Sequence, residues 1–93
     1  MNKHLEDALQ AAEWANLQGR GPSQMREDLA DCFLACARLH HAGLGLEVEG
    51  TSSAVANLIS NAIFFSDTGY LTRRALDVVV LLRALRDKLE GRK

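Results

Sequence analysis

Leu71-Thr72-Arg73-Arg74-Ala75-Leu76-Asp77-Val78-Val79-Val80-Leu81-Leu82-Arg83-Ala84-Leu85-Arg86-Asp87-Lys88-Leu89 is the stretch that decides the fold class. Leu71, Ala75, Val78, Leu82, Leu85 and Leu89 recur at steps of four and three, the a/d spacing of a helix packed along a neighbouring helix. Leu76, Val79, Val80 and Leu81 carry apolar side chains around the other sides. A helix apolar all round is covered from more than one direction. The segment therefore predicts a central helix, a subunit interface, or both.

The same period recurs upstream. Met25, Leu29, Cys32, Cys36 and Leu39 form a second heptad seam on a helix predicted from Pro22 or Ser23 to His41. Ala30, Leu34 and Ala37 make a smaller-residue stripe on another side, where a helix can approach closely. Leu5, Ala8, Leu9, Ala12 and Ala15 mark a first helix from Asn2 or Lys3 to Leu17, broken by Gly19, Gly21 and Pro22. Thr51-Ser52-Ser53 caps a third helix reaching about Phe65, with Val55, Leu58, Ile59, Ala62 and Phe65 inward, widened by Ile63 and Phe64. Ser66-Asp67-Thr68-Gly69 is a turn. Gly43-Leu44-Gly45-Leu46-Glu47-Val48-Glu49-Gly50 alternates apolar and polar residues over a short, glycine-bounded span. We read it as an irregular linker over 43–50 that tucks onto the bundle. The expectation is one domain over 1–93, an all-α four-helix bundle, dimeric through its last helix.

The 93 residues are 47% hydrophobic and 25% charged, as in a globular chain, with a net charge of −1. Only Trp14, Phe33, Phe64, Phe65 and Tyr70 are aromatic, so the core is expected to be mostly Leu, Ala, Val and Ile. Charge is unevenly placed. Residues 1–70 carry nine acids against four bases, and residues 71–93 seven bases against three acids. A basic last helix docking on an acidic remainder, within a chain or across a dimer, accounts for this. Phosphate binding through Arg73, Arg74, Arg86 and Lys88 is the alternative, a nucleic-acid-associated factor. No aromatic residues are interleaved with those cations to stack on bases.

Cys32, Cys36 and His40 share a helical stripe, but positions i, i+4 and i+8 span roughly 12 Å, too far for one ion to meet all three. An i, i+4 disulfide is poor geometry. Reduced thiols in the core are expected, and with them a cytoplasmic location. No secretion signal or membrane-spanning run is read, and no cofactor is expected.

Glu27-Asp28-Leu29-Ala30-Asp31 resembles the acidic run of MazG-like, all-α nucleoside-triphosphate pyrophosphohydrolases. The resemblance implies magnesium held by paired acids at i, i+3 on adjacent helices, with Asp28 and Asp31 as one pair. The other pair is missing: Glu6 is followed at i+3 by Leu9, Asp7 by Gln10, and Glu13 by Asn16. The preferred expectation is a small interaction module, a regulator, adaptor or inhibitor acting by binding another protein and without catalytic residues. Its expected contact residues are Leu76, Val79, Val80, Leu81 and Arg83, exposed by a surplus of apolar surface on the last helix.

Overall fold

A computed structural model describes residues 3–17, 19, 21–41 and 51–91. Four helices hold more than two-thirds of the chain: α1 (Lys3–Ala15), α2 (Pro22–His41), α3 (Thr51–Ala62) and α4 (Thr68–Leu89). No strand occurs among the described residues. The linker over 43–50 and Asn2, the earlier of the two expected starts of the first helix, lie outside them.

The seams form the core. Leu71, Ala75, Val78, Leu82 and Leu85 of α4 meet Met25, Leu29, Cys32, Cys36 and Leu39 of α2, with Leu5, Ala8, Leu9, Ala12 and Ala15 from α1 and Val55, Ile59 and Ala62 from α3. α1 packs on α2 and α4; α3 packs on the same two helices from the other side. α2 and α4 also touch, so they form the inner pair between α1 and α3. That inner position explains why the two heptad seams fall on these helices. The radius of gyration is 12.3 Å, against about 12 Å for a close-packed chain of this length. The fold is thus a packed four-helix bundle.

Local chemistry sets the ends. Asp67 is the N-cap of α4: its backbone is extended (φ −76, ψ 114) and its carboxylate accepts the Tyr70 N–H at 3.1 Å. This places the start at Thr68, three residues before Leu71. At the other end Gly91 takes φ +74 and donates to the Lys88 carbonyl, which closes α4 before the terminus. α3 ends earlier than expected, at Ala62 rather than Phe65. The Phe65 N–H bonds the Ala62 carbonyl at 3.0 Å, a tight turn that lifts Phe65 off the buried face. Phe65 instead lies against Tyr70, ring centroids 4.7 Å apart, and the Arg74 guanidinium sits 5.4 Å from the Tyr70 ring centre. Phe64, expected to widen the buried face, is 83% exposed. Arg26 donates to Ser66 Oγ at 2.9 Å and ties the start of α2 to this turn.

Candidate functional site

The core contains no aromatic ring. Trp14, Phe33, Phe64 and Phe65 are exposed, and Tyr70 is half-buried. Small cores usually take in aromatic side chains, which bury the most apolar area per residue. The buried hydrophobic positions hold Leu, Ala, Val, Ile, Met and Cys. Trp14 and Phe33 stand on exposed sides of α1 and α2, while Phe64 and Phe65 follow the end of α3.

Two surface features result. Between α2 and α3 lies a groove of about 250 Å³ lined by Ala30, Phe33, Leu34, Ser60 and Ile63. Its lining is apolar apart from Ser60. Leu34 is 53% exposed, and Ala30, expected to meet a close neighbour, is exposed as well. Ala30 and Leu34 of the small-residue stripe line the groove, while Ala37 is half-buried and does not. Phe33 and Leu34 were legible as residues off the α2 seam; their pairing with Ile63 was not, because it depends on how α3 docks.

The second feature is the outward face of α4. Leu76 and Val80 are 48% and 58% exposed. Val79 and Leu81, expected at an interface with them, are not available there. Val79 is buried in the chain's own core and Leu81 is half-buried against it. The reason is angular: at about 100° per residue, positions 79 and 81 point sideways toward α1 and α3 rather than outward. Arg83 is exposed and its guanidinium lies 3.3 Å from Glu13 of α1.

Arg73, Arg74, Arg86 and Lys88 do not form one basic face. Arg74 and Arg86 are half-buried on opposite flanks of α4, beside Asp77 (3.3 Å) and Asp87 (3.5 Å). Arg73 and Lys88 alone among the four are exposed. A phosphate backbone would meet a dispersed set of cations, two of them already neutralised locally.

Asp28 and Asp31 line a shallow hollow of about 160 Å³ between α1 and α2, with Asp7, Gln10, Ala11 and Trp14. Folding thus brings an Asp7/Gln10 pair opposite the Asp28/Asp31 pair. Gln10 stands where the resemblance requires an acid. Among the described residues no three His, Cys, Asp or Glu side chains come close enough together to hold a metal ion. The hollow does not fit the magnesium site that the resemblance implies. Asp28 itself is 7% exposed, a buried carboxylate rather than a solvated one.

Cys32 and Cys36 are free and buried. The Cys32 thiol donates to Cys36 Sγ, and this bond, reinforced by burial, pushes Cys32 well above the ordinary cysteine range. Cys32 thus has the character of core packing, and the bond it donates holds Cys36 below its ordinary range. The side chain of His40, considered with them, lies outside the described residues. Among those residues no helix is long and apolar enough to cross a membrane. Comparison of the chain with protein-family models, curated proteins and solved structures finds no match.

Proposed function

We propose that this chain is a small interaction module that works by binding another protein, in a reducing, cytoplasmic setting. The observation that carries the reading is the apolar groove between α2 and α3, where Phe33 and Leu34 stand exposed beside Ile63. Aromatic side chains at a surface supply large, stiff contact area and are enriched where proteins meet. A groove of about 250 Å³ between two helices takes one or two apolar anchors of a partner helix. Regulator, adaptor and inhibitor are the roles open to a module of this kind.

The test is capture with paired baits, the wild-type chain and a Leu34→Glu variant. Leu34 is exposed, so the substitution leaves the circular dichroism spectrum unchanged. A partner retained by the first bait and lost by the second supports the proposal. Equal capture by both baits, or none by either, counts against it. Release of pyrophosphate from nucleoside triphosphates in the presence of Mg²⁺, abolished by Asp28→Asn, would replace it with the hydrolase reading.

A further inference from the structure

We propose that the outward face of α4 is a self-complementary surface and that two copies of this chain pair through it, antiparallel, with Val80 at the two-fold axis. This face shares no residue with the α2–α3 groove, so the dimer and the partner-binding reading stand or fall separately.

The argument begins with the register of α4. Arg73, Leu76, Asp77, Val80, Arg83, Ala84 and Asp87 fall within about 60° on either side of Val80 at 100° per residue. Leu76, Val80 and Ala84 are exposed along its centre, and Leu76 and Val80 lose contact with water only if something covers them. A two-fold axis makes the same patch serve on both subunits. When two α4 helices lie antiparallel across such an axis at Val80, each residue comes level with the one equally far on the other side of Val80. Leu76 then lies beside Ala84 of the partner subunit, a large side chain beside a small one. Arg73 lies level with Asp87 of the partner subunit, and Asp77 with Arg83 of the partner subunit. Arg73 and Asp87, near the centre of the stripe, thus meet their opposites, while Asp77 and Arg83 lie toward its two margins. A parallel arrangement would instead set Arg73 against Arg73 of the partner subunit and Asp87 against Asp87 of the partner subunit.

Asp77 and Arg83 already lie 3.3 Å from Arg74 and Glu13 of their own chain, which leaves Arg73 and Asp87 as the pair for this contact. Arg73 is exposed and enters no ion pair among the described residues. Asp87 reaches only its sequence neighbour Arg86, at 3.5 Å, and its side chain is 45% exposed. The core is made of residues from all four helices of one chain, so this face lies outside it as a preformed surface. One helix pair buries area at the low end for specific complexes, so association is concentration-dependent.

The test is sedimentation equilibrium of the full chain across micromolar to millimolar concentration, with charge-reversal variants. The wild type is expected to approach twice 10.2 kDa. Val80→Asp should remain folded, because Val80 is outward, and should stay monomeric. Arg73→Glu and Asp87→Arg should each weaken association by about two- to tenfold, and the double reversal should recover it. As a second readout, Val80→Cys should cross-link to a covalent dimer on mild oxidation. A 10.2 kDa species at every concentration overturns the proposal. So does a dimer indifferent to Val80→Asp, or charge reversals with no recovery in the double variant.

Discussion

At the residue scale, burial separates side chains that the sequence pattern treats alike. Leu82 and Leu76 are both leucines on α4; Leu82 is fully buried and Leu76 half-exposed. Leu82→Ala should therefore cost about 2–5 kcal/mol in denaturant unfolding, the range for a leucine removed from a close-packed core. Leu76→Ala in the monomer should cost well under half of that. Arg83 and Glu13 make an exposed pair across α4 and α1, with side chains 54% and 44% exposed. Solvent screening leaves Arg83→Ala a loss of about 0–1 kcal/mol by the same measurement. Loss of Leu82 dominates because water never reaches the cavity it leaves.

Cys32 supplies a pH-dependent expectation. Its folded pKa is raised, first by donation to Cys36 and then by burial, so the fold favours the neutral thiol. In the unfolded chain it titrates near about 8.5. Its contribution to stability is complete below that pH and is lost as pH rises above it, because the unfolded chain alone releases the proton. Unfolding free energy between pH 7.5 and 10 should fall more steeply for the wild type than for Cys32→Ala. Parallel slopes would refute this. Under native conditions at neutral pH both thiols should react slowly with a disulfide reagent, at the rate at which the core opens.

At the element scale, the helix ends are short-range devices. Asp67→Ala removes the acceptor for the Tyr70 N–H and should cost about 1 kcal/mol, within the 0.5–2 range for N-caps. Asp67→Asn keeps an acceptor and should recover most of the loss in the same thermal or chemical unfolding assay. The early end of α3 shows a limit of periodicity. Phe65 continues the spacing of Val55, Ile59 and Ala62, yet the turn at 62–65 releases it from the helix to pack on Tyr70. The pattern records which residues would share a face if the helix continued. Whether it continues depends on the next helix, whose cap at Asp67 requires an extended backbone two residues after Phe65.

At the scale of the whole molecule, the Leu, Ala and Val repeats of α2 and α4 determined an all-α bundle from the sequence alone. A heptad seam stabilises only one arrangement, a helix lying along a neighbour, and the seams of α2 and α4 are the buried ones. The inward set of α1 was equally legible, since Leu5, Ala8, Leu9, Ala12 and Ala15 all lie inside. Circular dichroism should accordingly report more than two-thirds helix. What the tertiary structure alone decided is the surface. Val79 and Val80 are neighbours of one residue type, and no property of either says which will be covered; the docking of α1 and α3 on the flanks of α4 buries the first and leaves the second in water. Phe33, Leu34 and Ile63 became a groove only when α3 lay down beside α2. Asp7 came opposite Asp28 and Asp31 only through the pairing of α1 with α2. Period along a chain carries the direction of a side chain relative to its own helix, whereas exposure depends on where the other helices come to rest.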